Sequence, residues 1–244
     1  MSFGAHSTSG RPNRMYTVAL IGPDGAGKTT IARRLEREAA PWIKYVYMGV
    51  NPNSSNHLLP MSRLVRAVRA RKAARQNPHQ AEASHTAPSL QAGIRATARL
   101  MNQLSEEGYR QLLAWYHVRK GRLVIFDRHF FADYYSHDIT GEHGSRPLAR
   151  RLHGVFLERL YPKPVLTIFL DASPELLLAR KGEGTLESIT RMRADYLALA
   201  GTLPRFTVVD ASRSRDEVVD EVMRRICAVA LEIGAPLPFC AGRS

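Results

Sequence analysis

The stretch Tyr16-Thr-Val-Ala-Leu-Ile-Gly-Pro-Asp-Gly-Ala-Gly-Lys-Thr-Thr30 decides the fold. Tyr16 to Ile21 is a short apolar run rich in strand formers, which suits a strand covered on both faces. Glycine follows at once, and Gly22 to Thr29 matches G-x-x-x-x-G-K-[ST], the spacing that joins a strand to a helix around a polyphosphate. The glycines let the backbone curl so that consecutive NH groups point inward, and the helix N-terminus adds the positive end of its dipole. Gly22, Asp24, Gly25, Ala26, Gly27, Lys28, Thr29 and Thr30 are therefore the expected contacts to a nucleotide. Lys28 is placed to bridge the β- and γ-phosphates and the Thr29 hydroxyl to ligate Mg²⁺.

Outward from this loop, strands alternate with helices. A helix is predicted from Lys28 with Ile31, Leu35 and Ala39 at helical spacing, and a strand over Ile43 to Met48, ended by the turn-rich Asn51 to Asn56. Leu123 to Phe126, Val165 to Leu170 and Phe206 to Val209 are apolar strands that end at Asp127, Asp171 and Asp210 respectively. Helical patterns cover about Leu148 to Tyr161, Pro174 to Lys181, Leu186 to Ala200 and Arg215 to Leu231. The class is α/β, a three-layer parallel sheet with helices on both faces and ligands beyond the carboxyl ends of the strands. Leu64 to Ala74 reads as a basic helix, with Arg63, Arg66, Arg69, Arg71, Lys72 and Arg75 and no acid among them. Gln76 to Pro88 lacks periodicity and is expected to be a mobile loop. A long helix follows over Leu90 to Arg119, with a break expected near Gly108.

The chain has 244 residues, 44% hydrophobic and 23% charged, enough to bury one sizeable core. No run approaches the roughly 18 apolar residues of a membrane span, and Met1 to Arg14 is polar where a signal peptide would be apolar. These features predict a cytoplasmic protein without a membrane partner. The domain is expected over residues 15–235, with insertion 60–90, a lid at 180–191, a disordered tail at 1–14 and a C-terminal tail at 236–244. Cys227 and Cys240 are too few and too badly placed for a disulfide framework or a zinc site. A formal charge of +13 favours phosphate-bearing partners, either small nucleotides or nucleic acid, unless it reflects a compositional bias.

At the strand end, Asp127 can order a magnesium hydration shell, and the adjacent Arg128 can grip a phosphate bidentately. Thr29 and Asp127 are thus the expected metal set, with Mg²⁺ arriving together with ATP. His129 suits a helix start or a packing role better than catalysis. Arg180-Lys-Gly-Glu-Gly-Thr185 suggests a lid before a helix that holds Arg191 and Arg193. Residues two apart point to different sides of a helix, so at most one faces the nucleotide, and Arg191 can equally pair with Glu187 or Asp195. Lys28, Asp127, Arg128 and Arg191 form the expected catalytic set.

With these pieces in order, the chain resembles the thymidylate kinase family of nucleoside monophosphate kinases over most of its length. The resemblance rests on Asp24-Gly-Ala-Gly-Lys-Thr-Thr30, Asp127-Arg128-His129, Leu170-Asp171 with Pro174-Glu175, the Arg180 to Tyr196 stretch, and Val209-Asp210-Ala211. It implies that Arg128 holds the acceptor phosphate and Asp24 lies near the acceptor sugar. It also implies that Arg180 and Asp210 to Arg213 flank the adenine, and that the protein pairs as a homodimer. The acceptor side departs from the pattern: Tyr47 to Asn56 stands where the family usually carries an arginine- and glycine-containing motif. Arg110 is the nearest counterpart of the family's base-contacting arginine.

The resulting expectation is ATP-dependent phosphorylation of a nucleoside monophosphate or a similar small phosphate ester. A kinase for a hydroxyl acceptor (a nucleoside, a sugar or a nucleic-acid 5′ end) would need Asp24 or Asp127 as base. A nucleotide-binding regulator or nucleic-acid-binding protein would use the basic helix on a polyanion. That helix lacks aromatic interleaving, which disfavours specific RNA recognition.

Overall fold

Strand β1 (Thr17–Ile21) is buried at every position, as a strand covered on both faces must be. It hydrogen-bonds in parallel to β4 (Leu166–Asp171), with Val18 opposite Leu166 and Ile21 opposite Phe169. In turn β4 pairs in parallel with β5 (Phe206–Asp210), which brings Asp171 and Asp210 side by side at their carboxyl ends. With β2 (Ile43–Tyr47) and β3 (Leu123–Asp127) the sheet has the order β2-β3-β1-β4-β5, a five-stranded parallel sheet of the expected class. The computed structural model of the chain describes residues 16–49, 90–135, 148–182, 184–235 and 237–240. The expected tail at 1–14, the turns at 51–56, the basic helix at 64–74 and the loop at 76–88 lie outside the described residues.

Two compact units share the sequence: Met1–Tyr45, Ala114–Phe126 and Pro164–Ser244 form one, Val46–Leu113 and Asp127–Lys163 the other. In the first, Leu20, Ile168, Phe169 and Leu170 are fully buried beside the helix α1 (Lys28–Glu38), whose inward stripe is Ile31, Ala32 and Leu35. The helix α2 (Leu90–Arg119) runs 30 residues without the interruption expected at Gly108. A glycine costs about 1 kcal/mol against alanine in a helix, which buried Glu107, Arg110, Ala114 and Val118 on either side outweigh by packing. The short helix α3 (Phe130–Tyr134) was not legible, because five residues carry no measurable period. Then come α4 (Leu148–Arg159), α5 (Pro174–Lys181), α6 (Leu186–Ala198) and α7 (Arg215–Glu232). Their starts follow local chemistry: Thr185 with Ser188, and Ser214 with Glu217, form reciprocal capping boxes. No described helix is long and apolar enough to cross a membrane.

The cysteines correct the reading of them as badly placed, because Cys227 of α7 is bonded to Cys240 across a Cα separation of 5.5 Å. The return is made after the helix. Gly234 takes φ 67, the amide of Ala235 reaches the carbonyl of Ala230, and Pro238–Cys240 closes a 3₁₀ turn. Spacing in sequence carries no sign of such a reversal, and part of the expected tail is thus tied down. A crosslink spanning 13 residues removes loop-closure entropy from the unfolded chain. Cys240→Ser is expected to lower unfolding stability by about 2 to 3 kcal/mol in urea titrations under oxidising conditions. An unchanged midpoint would mean the bridge constrains nothing.

Candidate active site

In the first unit the loop after β1 is shaped by contacts that exclude side chains. Gly22 has φ 145, and a Cβ there would stand 2.6 Å from the carbonyl oxygen of Leu170; at Gly25, with φ 89, it would stand 2.8 Å from that of Leu177. Gly27, with φ 87, occupies the N-cap of α1, so no side chain competes for the first amides of the helix, which remain available to an anion. Lys28 is 5% exposed, and its Nζ donates to the carbonyl oxygens of Gly22 and Pro23, each at 2.7 Å. Its ammonium is therefore held over the loop, where a phosphate oxygen would meet it. Thr29 and Thr30 are exposed on the first turn of α1. Asp24 lies 3.8 Å from Lys28 and is paired with Lys181, a residue of the lid stretch that motif spacing did not single out.

A cleft of about 550 Å³ opens beside this loop, lined by Gly25, Gly27, Thr30, Arg180, Ala211 and Arg213 among others. Arg180 at the end of α5 is fixed across it, its Nη1 donating to the carbonyl of Ala211 at 2.8 Å. Asp210 accepts from the Ser212 amide at 2.9 Å and from its hydroxyl at 2.5 Å, which with Arg213 holds the carboxyl below its usual range. The turn after β5 is thereby locked as one wall. Ser214 and Arg215, also on this wall, escaped the sequence reading because a helix cap and its first residue look the same with or without a ligand.

The lid helix separates its two arginines as its period requires. Arg193 grips Asp171 bidentately, at 2.6 and 2.7 Å, and Arg191 is exposed. Arg193 is therefore committed to the end of β4. Gly182 and Gly184 on either side of the turn have φ 71 and 93, left-handed conformations that suit a hinge.

In the second unit a different cluster gathers around the ends of β2 and β3. The amide of Met48 donates to the carbonyl of Asp127 at 2.9 Å, and Asp127 itself is fully buried. Arg128, half-buried, has φ 70, a left-handed conformation that a non-glycine residue adopts at a cost. Arg110 is 3% exposed, 5.4 Å over the ring of Phe130, with Nη1 donating to the carbonyl of Gly49 at 2.8 Å and Glu106 at 3.7 Å. Burial lowers its pKa, against the opposing pull of Glu106.

His129 sits at the start of α3, 1% exposed and edge-on to Tyr161 at 5.3 Å, a packing residue as expected. Burial pushes its imidazole down to about 3, partly offset by a hydrogen bond with the backbone of Pro162. Between pH 6.5 and 3 the unfolded chain binds this proton and the folded one does not, so stability falls as pH drops below 6.5. The slope is about 1.4 kcal/mol per pH unit. His129→Gln is expected to lose about 2 kcal/mol less than wild type in urea titrations between pH 7 and pH 5; parallel losses would place the histidine in water.

A parallel sheet with this loop at the carboxyl end of β1, a buried lysine over it and an arginine-flanked cleft beside it define a P-loop phosphotransferase. No protein-family model matches the chain. It is 29% identical over 219 residues to a probable thymidylate kinase of Pyrobaculum aerophilum, covering 87% of this chain and 96% of that one. To a thymidylate kinase of Lactobacillus acidophilus it is 25% identical over 223 residues, 86% of this chain and 93% of the other. The solved structure of thymidylate kinase from Candida albicans matches the fold with a TM-score of 0.56 at 18% identity, covering 91% of this chain and 93% of that one. Over most of its length the chain is thus similar to thymidylate kinases, which are P-loop phosphotransferases.

Proposed function

We propose that the protein transfers the γ-phosphoryl group of ATP to the phosphate of a nucleoside monophosphate, thymidylate being the first to test. The observation that carries this reading is the loop Gly22 to Thr29, in which Gly22 and Gly25 leave no room for side chains and the lysine is held over the curled backbone. The amides of the loop and of the first turn of α1 bind the β- and γ-phosphates, and Lys28 exchanges a carbonyl partner for a phosphate oxygen. Arg180 and the Asp210 to Arg213 turn line the cleft that takes the adenine. Thr29 and, on the sequence reading, Asp127 are the residues that would hold Mg²⁺, which would supply charge neutralisation to the triphosphate. Exposed Arg191, on the helix after the proposed lid, is the arginine that approaches the transferred group. In the second unit Arg128 clamps the acceptor phosphate, and Arg110 sits where the base is expected.

A phosphate acceptor is already ionised at neutral pH, so positive clamps matter more than a base. A hydroxyl acceptor would need a carboxylate open to it, and Asp24 is instead claimed by Lys181 with Lys28 at 3.8 Å. The test is product analysis with ATP, Mg²⁺ and a panel of nucleoside monophosphates, nucleosides and sugars. Diphosphate products from monophosphates are expected, and phosphorylation of hydroxyl compounds alone would overturn the reading.

A further inference from the structure

Gly49, directly after β2, is a glycine whose φ lies outside the left-handed region, so backbone conformation does not demand it. Space does. A Cβ built on Gly49 would overlap Cδ of Arg128 and the hydroxyl of Tyr47, and would stand 2.6 Å from Tyr47 Cζ. The two neighbours are not equally able to yield. Tyr47 is 2% exposed, locked within the core at the end of β2, whereas Arg128 is half-buried with a flexible stem. Residue 49 cannot retreat either. Met48 ahead of it is fully buried and bonded through its amide to the carbonyl of Asp127, and the carbonyl of Gly49 accepts from the Arg110 guanidinium at 2.8 Å.

We propose that Gly49 is a positioning residue for Arg128: its bare α-carbon is the surface across which the arginine stem lies, and filling that surface swings the guanidinium away from the acceptor phosphate. The proposal rests on the reading of Arg128 as the acceptor clamp. Gly49 then joins the two acceptor-side arginines, Arg128 by contact with its α-carbon and Arg110 by a hydrogen bond to its carbonyl. The left-handed backbone of Arg128 strengthens the coupling, because it fixes where the stem leaves the chain and leaves few alternative paths for it.

The experiment is Gly49→Ala, examined by crystallography and by steady-state kinetics with ATP and the best acceptor of the panel. The expected structure has the Arg128 stem displaced from residue 49, with the Tyr47 ring shifted only as far as its own overlap requires. The expected kinetics are an acceptor KM raised about tenfold or more with the ATP KM within about twofold of wild type, a split that general loosening of the fold would not give. Should Gly49→Ala fail to fold, the double variant Tyr47→Leu with Gly49→Ala removes both overlaps with the phenol, at its hydroxyl and at Cζ, and retains the one with Arg128, and the same outcomes apply. An Arg128 stem still lying across residue 49, or both KM values rising together, overturns the proposal. If wild-type protein phosphorylates no monophosphate, the functional reading fails, and the crystal structure alone still decides whether Gly49 places Arg128.

Discussion

Lys28→Ala is expected to lower kcat by about 10³-fold, the size of effect found when a preorganised positive group facing transition-state charge is removed. The ammonium has little freedom to lose on reaction, because two loop carbonyls at 2.7 Å already hold it. Transfer spreads negative charge over the departing phosphoryl oxygens, and a fixed cation there stabilises that state more than the bound triphosphate. The variant should also bind an unreactive ATP analogue more weakly, by calorimetry, since the ground-state phosphates lose the same partner. The Gly22 and Pro23 carbonyls also lose a buried donor, so stability should fall by about 1 to 3 kcal/mol. Initial rates from a coupled ADP assay decide the matter. Turnover within tenfold of wild type would remove Lys28 from the reacting centre, and with it the assignment of the loop.

Much of the donor half was legible because its determinants are local. A parallel strand buried on both faces is an apolar run, and β1, β3 and β4 were each found that way; the apolar run also gave the less covered β5, and β3, β4 and β5 came with their terminal carboxylates. Asp171 and Asp210 then prove to be register partners, which no single strand could reveal. The loop of Gly22 to Thr29 was legible for the same reason, since its chemistry is a spacing. Contacts between elements were not legible. Asp24 with Lys181, Arg193 with Asp171, Cys227 with Cys240 and Gly49 with Arg128 all join residues whose separation in sequence has no period. Gly108 shows the opposite failure: a residue that weakens a helix locally was read as a break, while the packing of the turns around it decided the outcome. The stretch after β2 was read as a missing motif, and the nearness of Arg110 and Arg128 to Gly49 could not be seen from it.

That cluster makes Arg128 the position where stability and activity should part. Its φ of 70 costs a non-glycine residue on the order of 1 to 3 kcal/mol, a strain that persists only where something else demands the side chain. Arg128→Ala should cut kcat/KM for the monophosphate by about 10² to 10³, the loss expected when a bidentate cation no longer meets a phosphate. Arg128→Lys should recover part of this, because a point charge remains but the fork geometry does not. Arg128→Gly is the sharper test. Glycine relieves the left-handed strain while adding about 0.5 to 1 kcal/mol of unfolded-state entropy, so thermal stability should equal or exceed that of wild type although acceptor use collapses. Calorimetry with an ATP analogue should show donor affinity unchanged in all three, since the phosphate loop and the cleft with Arg180 lie in the other unit. A glycine variant that is both less stable and equally active would show the reverse of this account: an arginine kept for packing, with the acceptor phosphate held elsewhere.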